Sequence, residues 1–374
     1  MTTVVRVMIS MTTNLPERRE LEESMVRNCW RLVLAGALAA VGLTVTVADA
    51  QAERVRWKMH AAYASNIPII GDTPTMMIET VSKASGGEFQ IRHFEPGALV
   101  PGIQYYDAVS SGSIDAAYGT PGFNVNKNNA YAFFASVPFG PSAGEYLAWM
   151  RYGGGEDMAQ EMYGKDNIRF NICGIAPPET SGWFRKEIKT LDDLKGLKMR
   201  FFGLGAKVME KFGVSTQLLA AGDIYPALEL GSIDATEFSM AVTDKGFGFY
   251  QVAKHNYFPG WHQQATINEL LVHQAKYDAL NDANKELLAA ACDRATLYMF
   301  VKGEALQFEA IKFHQEQGVT VHRWSDEILA QFEAAWKEVI AEEIANNEDA
   351  KRIWASYSKF REDYSVWKEN GYLK

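Results

Sequence analysis

The pentapeptide Gly-Ser-Ile-Asp-Ala occurs twice, at 112–116 and at 231–235, each time after a helix-patterned run and ahead of a strand. Two copies in the same local setting point to a repeated supersecondary unit, and a chain built that way folds as two α/β lobes. In open α/β sheets ligands bind beyond the carboxyl ends of the strands, so the residues after each copy become site candidates. A shift of 119 positions sets Tyr118 opposite Glu237. Tyr118, the run from Gly119 through Phe123 to Asn124, and Glu237 all fall at such ends.

The rest of the first half supports a parallel sheet. Residues 54–60 alternate as a strand, Thr73 to Ala84 reads as a helix, 89–94 as a strand and Pro101 to Ser110 as a helix, giving a βαβαβ pattern. Asn167 to Ala176 reads as a strand crossing to the second lobe, and Gln263 to Val272 as the return. Two crossings form a hinge, so closure about a cleft is the expected motion. Lobe I is then 51–176 plus about 264–305, lobe II is 177–263, and helices fill about 306–374. Past residue 281 the helical pattern runs to the end. Its last segment carries Ile353, Tyr357, Phe360, Tyr364 and Trp367 on one face. Core packing is the first reading of that strip, and a homodimer through the C-terminal helix is the second.

In the second lobe Leu197 to Phe201 reads as a strand, Gly203 and Gly205 as a tight turn, and Ala206 to Phe212 as a helix. Arg200 is thereby placed near a strand end, where its planar fork of donors suits a carboxylate or phosphate. A plain structural Arg200–Glu237 pair is the bland alternative, and the position of both residues at strand tips argues for ligand work instead.

The N-terminus carries an address. Arg27 and Arg31 precede a mostly apolar run from Leu32 to Val47, then Ala48-Asp-Ala50, which is the layout of a secretory signal peptide. Residues 1–24 read as an extension before it, and 1–50 are excluded from the fold. Export predicts the periplasm. A formal charge of −9 argues against nucleic acid as a partner. Cys173 and Cys292 remain after removal of the signal; a bridge is permitted, and two separate buried thiols are the preferred reading.

Catalytic motifs are scarce. There is no His-Glu-x-x-His, Gly-x-Ser-x-Gly, phosphate loop or Cys-x-x-Cys. His262 reads as a cleft wall or a satisfied core residue. The alternative function is a secreted NAD(P)-dependent oxidoreductase using the Gly203-Leu-Gly205 turn, but Val208 stands where the third glycine of that fingerprint belongs.

The segments Gly196-Leu-Lys-Met-Arg200, Trp183-Phe-Arg-Lys-Glu-Ile, Ala235-Thr-Glu-Phe238, Gly248-Phe-Tyr-Gln-Val-Ala and Phe258-Pro-Gly-Trp-His-Gln263 carry a resemblance. The chain resembles DctP-type solute-binding proteins of TRAP (tripartite ATP-independent periplasmic) transporters, most closely the TakP-like subfamily that binds 2-oxo or 2-hydroxy monocarboxylates with a metal ion. The resemblance implies a two-lobed periplasmic-binding-protein-like fold and delivery of solutes such as pyruvate or lactate to membrane subunits. It implies that Arg200 binds the substrate carboxylate, and that Glu237, the Phe238 carbonyl, Glu179 and Gln263 hold a calcium or sodium ion. Tyr118, Phe123, Asn124, Glu179, Phe238 and Gln263 join Arg200 as substrate-binding candidates. The sequence departs from the subfamily at Glu179 and Gln263, where an amide then an acid is expected, and at Phe202 and Phe238, where proline and tryptophan are usual. Physical chemistry points the same way. Two carboxylates converging on a cleft repel each other unless a cation joins them, and oxygen ligands favour calcium or sodium over zinc.

Overall fold

A computed structural model of the chain describes residues 54–373; the expected signal peptide and its extension lie outside them. In β1 (Val55–Ala61), Trp57 and Met59 are buried while Arg56 and Lys58 stay exposed, the period-two pattern of a strand with one wet face. β2 (Phe89–Phe94) and β3 (Ala116–Gly119) flank it in parallel, and α1 (Asp72–Ala84) connects the first pair. The helix predicted from Pro101 begins only at Tyr106, because residues 101–104 close a turn through Gln104 N–H and the Pro101 carbonyl.

β4 (Ile168–Ala176) completes this sheet through β10 (Thr266–His273), which runs antiparallel to both β3 and β4. The order is β2-β1-β3-β10-β4. β10 carries Leu270, Leu271 and Val272 in succession, all fully buried, the continuous apolar run of a strand covered on both faces. Each contributes about 1.5–3 kcal/mol over an exposed position.

The second sheet comprises β5 (Gly182–Phe184), β6 (Lys198–Arg200), β7 (Ser215–Gln217), β8 (Ala235–Thr236), β9 (His255–Phe258) and β11 (Thr320–Arg323). Its order is β11-β9-β5-β8-β6-β7. The chain passes between the sheets at 177–181 and 259–265, as the two crossing strands predicted. A third passage was not foreseen: the C-terminal region, predicted as purely helical, contains β11, which pairs with β9.

α2 (Ala143–Tyr152) belongs to the first lobe, and α3 (Gly203–Lys211) and α4 (Ala241–Phe247) to the second. α3 starts three residues before the predicted helix, so Gly203 and Gly205 form its first turn and not a separate loop. A Cβ on Gly205 would come within 2.8 Å of the His262 Cβ. That glycine serves close packing, not a phosphate turn.

The end of the chain is α5 (Asp282–Glu316), α6 (Asp326–Asn346) and α7 (Glu348–Gly371). Ser325 and Asn347 cap α6 and α7 by accepting the Ile328 and Ala350 N–H groups. α5 packs along β4 and α1 and also against α4, reaching both lobes. That packing brings Cys292 against Cys173 of β4 in a disulfide, correcting the expectation of two free thiols. α6 lies on α3 of the second lobe and α7 on α2 of the first. Ile353 and Tyr357 of α7 are fully buried whereas Trp367 is 57% exposed, so only the first half of the aromatic strip is core.

Candidate functional site

β6 and β8 are parallel neighbours with Arg200 in register with Thr236, so the residue after β8 arrives beside the arginine. Glu237 N–H donates to the Arg200 carbonyl at 3.1 Å and extends the ladder by one step. Arg200 Nη1 donates to the Glu237 carbonyl (2.8 Å) and to Glu237 Oε1 (2.6 Å), while Nε reaches the Leu219 carbonyl (3.4 Å). The guanidinium carbon stands 5.1 Å from the Phe238 ring centroid. Arg200 and Glu237 are 2% and 0% exposed. The structural ion pair set aside from sequence is therefore present. It uses one end of the fork, and Nη2 makes no hydrogen bond to the described residues.

The connections at 177–181 and 259–265 supply the opposite wall. Glu179 N–H donates to the Gln263 carbonyl at 3.3 Å, which ties the outgoing crossing to the returning one. Gly260 permits this approach, since a Cβ there would lie 2.3 Å from the Glu179 carbonyl oxygen. Glu179 Oε1 accepts from Ser239 Oγ at 3.4 Å, and Gln263 Nε2 donates to Thr266 Oγ1 at 2.6 Å. Glu179 Oε2, Glu237 Oε2 and Gln263 Oε1 are buried and accept no hydrogen bond from the described residues. Buried oxygens of this kind are costly unless something pairs with them.

Charge sharpens the point. Burial pushes the Glu179 carboxyl well above its usual range, and the charges of Glu237 and Asp244 add to that push. Burial opposes the charged form of Glu237 too, but Arg200, His262 and the Phe202 N–H (2.5 Å from Oε1) outweigh it and hold that carboxyl below its usual range. Asp244, bonded to Trp183 Nε1 at 2.7 Å, is pushed up to about 7 by burial. Glu179 and Glu237 thus share one arginine, with a third buried carboxyl, Asp244, close enough to add repulsion.

Glu179, Glu237 and His262 each present a ligand atom, and these atoms lie within 4.8 Å of one another. His262 was read from sequence as a wall or a satisfied core residue. Its ring nitrogens have no hydrogen-bond partner among the described residues, and Nε2 sits 3.5 Å from Glu237 Oε2. Two carboxylate oxygens and one imidazole in this space, with the orphaned Gln263 Oε1 on the cavity wall that Glu179 also lines, offer a small cation mostly hard oxygens.

Beside this cluster is a small cavity lined by Arg200, Glu179, Gln263, Phe123 and Phe238, all predicted from sequence. Tyr63, Ser239 and Asn268 also line it and were missed: Tyr63 and Asn268 have no motif around them, and Ser239 stands one residue past the Ala235–Phe238 segment. Two predicted residues are outside it. Tyr118 is still inside β3, paired with Leu270 and Ala61, and its hydroxyl donates to the Cys173 carbonyl at 3.2 Å. Asn124 turns into the first lobe, where Nδ2 donates to Tyr163 Oη (2.9 Å) and Glu269 Oε1 (3.0 Å).

Two α/β lobes joined by crossing connections, with a charged cavity between them, define a solute-binding protein of the kind that serves a membrane transporter. The chain belongs to the DctP family, bacterial extracellular solute-binding protein family 7, whose profile matches residues 59–347. It is 32% identical over 313 residues to a monocarboxylate 2-oxoacid-binding periplasmic protein of Nostoc sp. (strain PCC 7120), covering 84% of this chain and 86% of that one. A TRAP transporter solute-binding protein of Bordetella bronchiseptica RB50 is 34% identical with a TM-score of 0.82, covering 84% and 93% of the two chains. Its structure is a mixed-occupancy dimer with copurified calcium and picolinate in one site and the other apo. A TRAP periplasmic solute-binding protein of Pseudoalteromonas atlantica T6c, with bound sodium and pyruvate, is 30% identical with a TM-score of 0.81 over 84% and 96%. This chain is accordingly a periplasmic binding protein of the TRAP class and not an enzyme, which removes the oxidoreductase alternative.

Proposed function

We propose that this protein captures a small 2-oxo or 2-hydroxy monocarboxylate, such as pyruvate or lactate, with a calcium or sodium ion, and delivers the solute to TRAP membrane subunits. The observation that carries this reading is the set of orphaned oxygens on Glu179, Glu237 and Gln263 beside a cavity that also presents Arg200. Those three oxygens and the Phe238 carbonyl are the proposed ion ligands. When bound, the ion supplies the positive charge that the crowded carboxyls lack. Arg200 Nη2 donates to the solute carboxylate, and Phe123, Phe238 and the missed Tyr63 wall its carbon chain. The ligands of the Bordetella and Pseudoalteromonas proteins support both the acid class and the choice of ions.

The same proposal assigns 51–176 with about 264–305 to one closing lobe, 177–263 to the other and about 306–374 to the C-terminal helices. It assigns export to the signal sequence within residues 1–50. A homodimer through α7 is the assembly that its exposed end favours, where Val366, Trp367 and Tyr372 are 66%, 57% and 58% exposed.

The deciding experiment is calorimetric titration of pyruvate into chelator-treated protein without added ion, with calcium and with sodium. Binding should tighten with one or both ions and proceed without turnover. Equal affinity in all three conditions would mean that no ion bridges the ligand.

A further inference from the structure

Outside the inner cavity lies a second, larger groove, lined by Ile103, Gln104, Tyr106, Val125 and Leu218 among others. Phe123 is the residue common to both linings. It is only 8% exposed and is held by two other rings. Tyr63 is tilted against it at 6.0 Å between centroids, and Phe202 meets it edge-on at 5.5 Å and 82°. Phe202 comes from the opposite lobe, at the start of α3. Its ring lies against the backbone of Gly122, where a Cβ would come within 2.1 Å of the ring Cζ. Its main chain is fixed from within the site, since its N–H is bonded to Glu237 Oε1.

We infer that Phe123 and Phe202 form a door between the inner cavity and the outer groove, and that this door sets the maximum chain length of the acid the protein accepts. The inference rests on the proposed function for the orientation of the ligand. Arg200 and the carboxylate cluster fix its polar end, which leaves the carbon chain facing Phe123, Phe202 and Phe238. A chain one or two methylenes too long must displace a buried ring that has partners on both lobes, and discrimination of roughly tenfold or more per methylene is typical of such a wall. With either ring trimmed, the inner cavity opens into the groove and the longer chain has somewhere to go. Gly122 belongs to the device, because any side chain there would hold Phe202 away from Phe123.

The test compares wild type with Phe202→Ala and Phe123→Ala, which open the door from different lobes, so that failure of one variant to fold does not end the experiment. Each protein is titrated, in calcium, with straight-chain 2-oxo acids of three to six carbons and with the matching unsubstituted monocarboxylates. Wild type should lose affinity steeply with length, and either variant should raise the six-carbon to three-carbon affinity ratio by about tenfold or more. A ratio unchanged in the folded variants overturns the door, as does a wild type indifferent to length. Failure of the 2-oxo series alone would sink the functional proposal while the plain acids still decide the door. Binding of neither series would overturn both.

Discussion

Arg200 Nη1 is bonded to Glu237, and this determines how its removal will read out. Arg200→Ala removes the donor for the solute and leaves Glu237 buried without its cation, a loss of about 3–5 kcal/mol for a truncated buried pair. Solute binding should vanish and the melting temperature should fall together. Arg200→Lys keeps the charge without the fork, so it should recover part of the stability and little of the affinity. Full affinity in the lysine variant would show that geometry at this position is irrelevant. A second buried acid gives a pH signature. Burial raises Glu269 to about 8, against hydrogen bonds from Tyr163, Tyr105 and Asn124 that lower it. Its folded pKa is above the unfolded value, so its stabilising contribution is complete below the usual carboxyl range and is lost as pH rises through about 8. Each pH unit in that window costs up to about 1.4 kcal/mol. Melting temperatures between pH 5 and 8.5 should decline, and Glu269→Gln should flatten the slope; identical slopes would remove Glu269 as the cause.

Among the elements, the link between β4 and α5 is the one most open to test. The Cys173–Cys292 disulfide closes a separation of 119 residues, and opening a loop of that size costs about 2–5 kcal/mol. A reducing agent, or Cys173→Ala with Cys292→Ala, should lower the melting temperature by several degrees; no change would mean that packing of α5 on β4 suffices. This bridge was invisible in the sequence because the two cysteines lie on elements whose contact is purely tertiary. The placement of Arg200 and Glu237 at neighbouring strand ends was legible because one closes a short strand and the other follows one, with glycines marking the adjacent turns. Tyr118 was misplaced for a definite reason. The repeat is real as a pattern, but β3 continues to Gly119 whereas β8 stops at Thr236, so Tyr118 is still paired on both sides while Glu237 lies one residue past its strand and keeps a single ladder bond, to Arg200. Asn124 failed differently, drawn inward by a buried carboxylate that no local pattern announces. β11 escaped notice because a four-residue strand between long helices has little periodicity of its own.

At the scale of the whole molecule, the C-terminal helices strap the lobes together. Glu343 of α6 is bonded to Lys207 in the second lobe and to Asn129 in the first, the latter at 3.2 Å. Glu343→Ala should disfavour the closed form and weaken solute binding about five- to tenfold, the scale of one or two lost polar links, while leaving its ion dependence intact. Unchanged affinity by calorimetry would show that the strap is indifferent to closure. β10 is fourth across the first sheet but tenth along the chain, and β11, the edge of the second, ends at residue 323 of 374. Neither sheet can complete its ladder until most of the polypeptide has left the ribosome, which at about 5–20 residues per second leaves the nascent chain without a finished lobe for much of its synthesis. A polypeptide in that condition presents no finished lobe that would have to be unravelled to pass a narrow translocation pore, so the interleaving that builds the cleft also lengthens the interval in which a growing chain is fit for export.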